Sequence, residues 1–167
     1  MSQTVSRIET ARNDLVTQLK TMSVANGYRN DYADVIQVFR DISQITEFPI
    51  IRVFWQSGSL SALDSVRGAF SEKWQVLVVA LVDNRSTGNN DGEELIDNAE
   101  SVLHDLKKCL TSFTVTNLHT ANKNYFIDGK EDIFKVYPLM PIDKAVGEVA
   151  VGFTIKVRWD DYTTTES

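Results

Sequence analysis

Cysteine occurs once in this 167-residue chain, at Cys109, so no disulfide can form within it. A reducing compartment fits that usage, and nothing in it points to a secreted, disulfide-held scaffold. Histidine occurs twice, as His104 and His119, and neither stands at zinc-ligand spacing from the other or from the cysteine. Long hydrophobic runs are also missing. The run "VLVVALV" at 76–82 falls well short of the roughly 20 residues a spanning helix needs and fits a buried strand. The opening "MSQTVSRIET" has no apolar h-region of a signal peptide. Positive charge is in deficit: 17 Lys and Arg against 23 Asp and Glu give a net charge of −6. That balance argues against broad, salt-dependent binding to nucleic acid through a basic face. It suits a wall along which phosphates pass without sticking. The phosphate-binding and nucleophile motifs G-x-x-x-x-G-K-[ST], G-x-G-x-x-G and G-x-S-x-G are all absent.

What remains is ordinary for one globular domain: 43% hydrophobic and 24% charged residues in a chain long enough to bury a core without metals. Val5, Ile8, Leu15, Leu19 and Met22 recur at helical spacing, with Ala11 and Ala25 beside them. They predict a helix over 2–24, capped by Ser6 with Glu9 or by Thr4, and stopped at Gly27. Val35, Ile36, Val38 and Phe39 predict a first strand, and "PIIRVFW" at 49–55 a second. On that second strand Ile51, Val53 and Trp55 share one face, and Ile50, Arg52 and Phe54 the other. The serine-rich segment 57–68 reads as a long loop, too long for a tight hairpin turn. The third strand, 71–82, is apolar on both faces and belongs at the centre of a sheet.

A polar loop at 83–92 leads to a second helix over 91–110. Asn90 with Glu93, or Asp91 with Glu94, can cap it, and Lys107 and Lys108 suit its negative end. Its stripe is Leu95, Ile96, Ala99, Val102, Leu103, Leu106, Cys109 and Leu110. "FTVTNL" at 113–118 reads as a weak strand, Asp128-Gly129 as a hairpin turn, and Pro138 and Pro141 as interruptions of the next run. "GEVAVGFTIKVRW" at 147–159 alternates cleanly into a buried and a wet face, and the tail at 161–167 reads as frayed. The expected class is α+β, a mostly antiparallel mixed sheet with two packed α-helices.

Candidate chemistry is sparse. The window 83–94 has the aspartate, central glycine and final glutamate of a calcium loop, but Arg85 stands where a ligand is required. A capped helix entry explains it better. Asp31, Asp34 and Asp41 could serve a small metal-dependent hydrolase, yet they fall on different sides of a turn and a strand. Asp128, Glu131 and Asp132 surround a turn, whose chemistry accounts for them. His104 has Asp105 as its nearest acid and reads as an ordinary histidine, and Cys109 reads as a small core residue. Of Trp55, Trp74 and Trp159, at least two are expected in the core, and an exposed one would be an interface anchor. Lys156 and Arg158 form a small cationic stripe, either a solvated sheet face or a subunit contact to carboxylates.

The stretch "VANGYRNDYADVIQVFRD" at 24–41 is followed by "FPIIRVFW" at 48–55, "WQVLVVALV" at 74–82 and "VGFTIKVRWD" at 151–160. In this order, after an amphipathic helix, they resemble the tail terminator (tail completion) proteins of tailed bacteriophages. The resemblance covers nearly the whole chain in element order and is closest in wording between Asn26 and Trp55. It implies a mixed α/β subunit of a ring, typically a hexamer, in the virion tail or neck, assembled in the host cytoplasm. Such a ring caps the head-proximal end of the tail tube, stops its polymerisation and docks the neck or connector protein. In contractile tails it also meets the sheath, and DNA only passes through its lumen. The resemblance implies no catalytic site, metal or cofactor. On that reading Arg52, Lys156 and Arg158 are candidate contacts to adjacent subunits or the tube, and Tyr28, Arg29 and Asp31 fix the first turn or touch a neighbour. Segments 57–68 and 116–135 are candidate arms. The nearest alternative is another phage neck or head–tail joining protein, and a monomeric binding or chaperone module is a further one.

Overall fold

The run that is apolar on both faces does lie mid-sheet, as its sequence predicts. The computed structural model describes residues 7–37, 42–64, 69–83, 92–117, 125–128, 133–142, 145–161 and 165–166. In chain order the elements are α1 (Arg7–Leu19), β1 (Val35–Ile36), β2 (Ile50–Asp64), β3 (Ala69–Asp83), α2 (Gly92–Asn117), β4 (Tyr125–Asp128), β5 (Lys135–Pro141), β6 (Val146–Asp161) and β7 (Thr165–Glu166). Short 3₁₀ turns occupy Val24–Asn26 and Ile42–Gln44. The strands form one sheet ordered β1-β2-β3-β6-β4, with β5 and β7 also paired to β6. β1 runs parallel to β2, and every other pairing among the described residues is antiparallel. The chain is an α+β fold with a mostly antiparallel mixed sheet and two packed helices.

Both helices bury their stripes against one sheet face. α1 contributes Ala11, Leu15 and Leu19, and α2 contributes Leu95, Ala99, Val102, Leu106, Cys109, Leu110 and Phe113. The sheet answers with the even-numbered valines of β3 and the odd-numbered residues from Val149 to Val157 of β6. Each such side chain, fully buried, is worth roughly 1.5–3 kcal/mol of transfer free energy. A smaller cluster of Ile36, Ile45, Ile50 and Leu81, with Phe48 against it, sits apart from this core.

Several expectations change. α1 is described from Arg7 and ends at Leu19, short of 24, so the capping residues Thr4 and Ser6 lie outside the described residues. Gly27 is a stop, but for the 3₁₀ turn: its φ is 84° and its N–H donates to Val24 O. Only Val35 and Ile36 of the predicted first strand are described as strand, and Val38 and Phe39 lie outside the described residues.

Of the loop predicted at 57–68, residues 57–64 are strand, and 65–68 lie outside the described residues. β2 continues through it and pairs with β3 up to Asp64 opposite Ala69, with register shifts at Trp55/Ser57 and Ala62/Asp64. Its serines carry no apolar alternation to read. Pairing with β3, itself held by β6 along its length, imposes the extended form. Gly58 faces Trp74 so closely that a Cβ there would lie 2.8 Å from the indole.

"FTVTN" is helix, not strand. Phe113 extends the buried stripe of Leu106 and Leu110 by one turn, and Thr114 Oγ1 donates to Leu110 O at 2.8 Å. Packing overrides the β preference of these residues. Gly129 of the predicted hairpin turn lies outside the described residues, and the strands before and after it are not hairpin partners: β4 and β5 both run antiparallel to β6, end to end along one edge. Pro138 falls within the register shift between Tyr137 and Met140, where its missing N–H does least harm. Ile96 is 47% exposed and leaves the α2 stripe.

Candidate functional site

The polar segment after Gly27 is fixed by one carboxylate. Asp105 is fully buried on α2, between Val102, Leu106 and Cys109 of the apolar stripe. It accepts hydrogen bonds from the backbone N–H of Arg29 (2.9 Å) and Asn30 (3.0 Å), from Asn30 Nδ2 (2.9 Å) and from the Tyr32 hydroxyl (2.9 Å). A buried carboxylate needs such a set of donors to be tolerated. Burial, and then the Asp105 charge, push the Tyr32 phenol well above its ordinary range. Asn30 also donates to Ser101 Oγ at 3.0 Å, and Lys108 Nζ donates to Gly27 O at 2.7 Å while lying 4.8 Å from the Tyr28 ring centroid. Asp31 Oδ1 accepts from Val24 N–H and Asp34 Oδ1 from Val35 N–H.

Asp31 ties the turn to the Val24 N–H, and the Tyr28 ring lies against Lys108. Exposed Arg29 lends the turn a backbone N–H. Sequence reading passed over Asp105, although an acid set among Val102, Leu106 and Cys109 at helical spacing is a signal that it is buried and paired.

Among the described residues the candidate acids do not gather at one point. Asp31 and Asp34 are each engaged with backbone, and Asp41 lies outside the described residues. Among the described residues no three of His, Cys, Asp and Glu gather to hold a metal ion. The calcium-like window, apart from its ends, and the acids Glu131 and Asp132 lie outside the described residues. His104 is exposed. Cys109 is buried and its thiol is pushed up to about 11, chiefly by desolvation, so it is a poor nucleophile near neutral pH. No protein-family model matches this chain, and no curated protein matches it.

The face of the sheet turned away from the helices holds the predicted cations in three different settings. Arg52 is 8% exposed. Its Nη2 lies 3.4 Å from Glu148 Oε2, its guanidinium 5.3 Å from the Phe54 centroid, and its Nε is buried without a partner. It is thus an internal ion pair and not a free surface cation. Lys156 is half-buried and pairs in register with Lys73 on β3. Arg158 takes the same face opposite Ser71, and its side chain lies outside the described ones. Lys135 and Tyr137 of β5 flank Gly152, where a groove of about 240 Å³ opens over Gln75 and Thr154.

The candidate arm at 57–68 is described in part, and one further surface, along β5, escaped the sequence reading. Beyond Trp55, residues 56–61 of β2 are all exposed, Leu60 among them at 47%. Along the β5 edge Val136, Tyr137, Met140 and Ile142 are exposed apolar residues, beside Pro138 and Pro141, which offer no N–H to an incoming strand. Trp55 and Trp74 are half-buried, not core, and meet edge to face at 6.3 Å between ring centroids. The side chain of Trp159 lies outside the described ones.

Proposed function

We propose that this chain is a tail terminator of a tailed bacteriophage: a ring subunit in the virion that caps the head-proximal end of the tail tube, ends its growth and docks the neck. The observation that carries this reading is the length of the central strands. β2, β3 and β6 have 15, 15 and 16 residues. At about 3.3 Å per residue each spans roughly 45–50 Å. A compact body of this chain length is only about 40 Å across. β2 therefore runs on past the residues it gives to the core and presents a strand, paired to β3 and exposed over residues 56–61, as an arm.

Such an arm suits a subunit that must reach a neighbour or the tube. A growing tube ends in a surface that recruits another copy, and a cap must cover that surface without offering it again. Closed rotational symmetry meets the requirement, because a heterologous contact that closes leaves no free end. An acidic chain lining the lumen lets DNA slide past.

Mixing the chain with its cognate tail-tube protein tests the reading. Tube lengths, measured by negative-stain electron microscopy, are expected to shorten and stop increasing as the chain is added. Unchecked tube growth at saturating chain rules the terminator role out. A head–tail joining protein of another kind would leave growth unchanged and bind the head.

A further inference from the structure

The outer face of α2 is charged by halves. Asp97 and Glu100 are exposed in its first half, and Lys107 in its second. Arg29 adds to the second half: its backbone N–H is fixed to Asp105 of α2, and its side chain is exposed. The helix dipole favours acids and bases only within the first and last turns. Glu100 lies about two turns in from Gly92, and Lys107 nearly three turns short of Asn117, so the dipole accounts for neither. Nor do these charges serve their own helix. Neighbours on a helix surface stand three or four residues apart. At those spacings Lys107 has no acid, Asp97 has no base and Glu100 has only His104, while Asp97 and Glu100 face each other as like charges. Among the described residues none of the side chains of Arg29, Asp97, Glu100 and Lys107 has a hydrogen-bond or ion-pair partner. Their charged neighbours are already engaged: Lys108 with Gly27 O and the Tyr28 ring, and half-buried Glu94 within the chain.

A face that is acidic along one half and basic along the other is complementary to itself when reversed. We infer that α2 docks antiparallel on α2 of a second copy, so that Asp97 and Glu100 of each copy meet Lys107 and Arg29 of the other. The contact is isologous: one patch serves both copies about a two-fold axis. Setting Glu100 opposite Lys107 puts that axis at Leu103 and His104, in the middle of the exposed stripe. Ile96, 47% exposed, and half-buried Leu103 supply apolar contact on the same side of the helix. From Ile96 to Ser112 the face is about 24 Å long, room for several turns of helix-on-helix packing. A second copy is favoured because it brings the reversed pattern at the matching spacing, whereas a nucleic acid would meet the acids of the first half. A two-fold contact closes on itself and builds no ring, so the inference stands apart from the terminator reading.

Variants confined to exposed side chains test the contact. Asp97→Lys with Glu100→Lys makes the face basic throughout, and Arg29→Glu with Lys107→Glu makes it acidic throughout. Circular dichroism checks that both fold. In sedimentation velocity at low salt the native chain is expected to be a dimer that dissociates as salt is raised. Each double variant alone is expected to sediment as a monomer, because its two faces repel. An equimolar mixture is expected to form a one-to-one dimer, and a chain with all four reversals to dimerise like the native one. The two-fold geometry has its own readout. His104→Cys, at the axis, is expected to form a disulfide between copies under mild oxidation, with buried Cys109 out of reach. Ile96→Cys, held about 22 Å from its mate, is expected to form none. A native chain monomeric at every concentration, a double variant that dimerises like the native chain, or a mixture or fourfold reversal that stays monomeric overturns the inference. So does a disulfide at Ile96→Cys with none at His104→Cys. Loss of tube binding by the double variants, with no self-association of the native chain, gives the face to another protein and overturns it equally.

Discussion

Asp105 holds a segment 73–76 residues away in sequence through four hydrogen bonds, and one of the donors, Asn30 Nδ2, also reaches Ser101 Oγ. Replacing it by alanine strips two backbone N–H groups of their acceptor and opens space under Tyr32. At 1–3 kcal/mol for each stranded donor, these two being only partly buried, the loss of stability is expected to be about 3 kcal/mol. Urea denaturation of Asp105→Ala measures it, and His104→Ala, next door but exposed, is the control, expected within about 0.5 kcal/mol of the native chain. Cys109 gives a second prediction at this scale. Its thiol rises from the ordinary 9.0 to about 11 on folding, so the folded state holds the proton more tightly. That contribution is fully present below about pH 9 and is lost as pH climbs toward 11. Tyr32 and Tyr125, raised in the same direction, add to the alkaline loss. Denaturation curves at neutral pH and near pH 11 are expected to differ less for Cys109→Ala than for the native chain.

Elements were legible where burial repeats with one period. β3 and β6 could be read because their apolar residues either fill both faces or alternate, and α1 and most of α2 because their stripes recur at helical spacing. The end of α2 and the arm could not. Phe113 through Thr116 have strand-favouring side chains, and only Phe113's burial under the sheet shows why the helix goes on. The arm of β2 carries serines and glycine whose extended form comes from a partner strand far along the chain. The candidate site followed the same rule. Lys156 could be placed on a face by alternation, whereas its pairing with Lys73 depended on a register no local pattern encodes. Gly58 shows how tightly that register is set. A β-branched residue there must displace the Trp74 indole. Gly58→Val is expected to cost about 1–3 kcal/mol. Hydrogen exchange should locate the loss in the β2–β3 arm and leave α2 protected; uniform loss of protection would mean the arm is not a separable unit.

For the whole molecule, the arm is the feature whose removal separates fold from assembly. Among the described side chains of β2 and β3, the main core takes Ile51, Val53, Val76, Val78, Ala80 and Val82, and none from 57–61. Leu60 pairs with Glu72 across the hairpin, so excising residues 61–71 and joining the strands through Asn-Gly preserves the ladder below that point. The shortened chain gives up no described residue of the main core, and its melting temperature is expected to stay near the native value. If the long strands exist to reach a neighbour or the tube end, the same chain should lose tube capping even when supplied in excess. Tube-length measurements decide the matter. Retained capping would make the arm's length incidental and remove the observation on which the terminator reading rests, whereas lost capping in a chain that still melts cooperatively would tie that length to assembly.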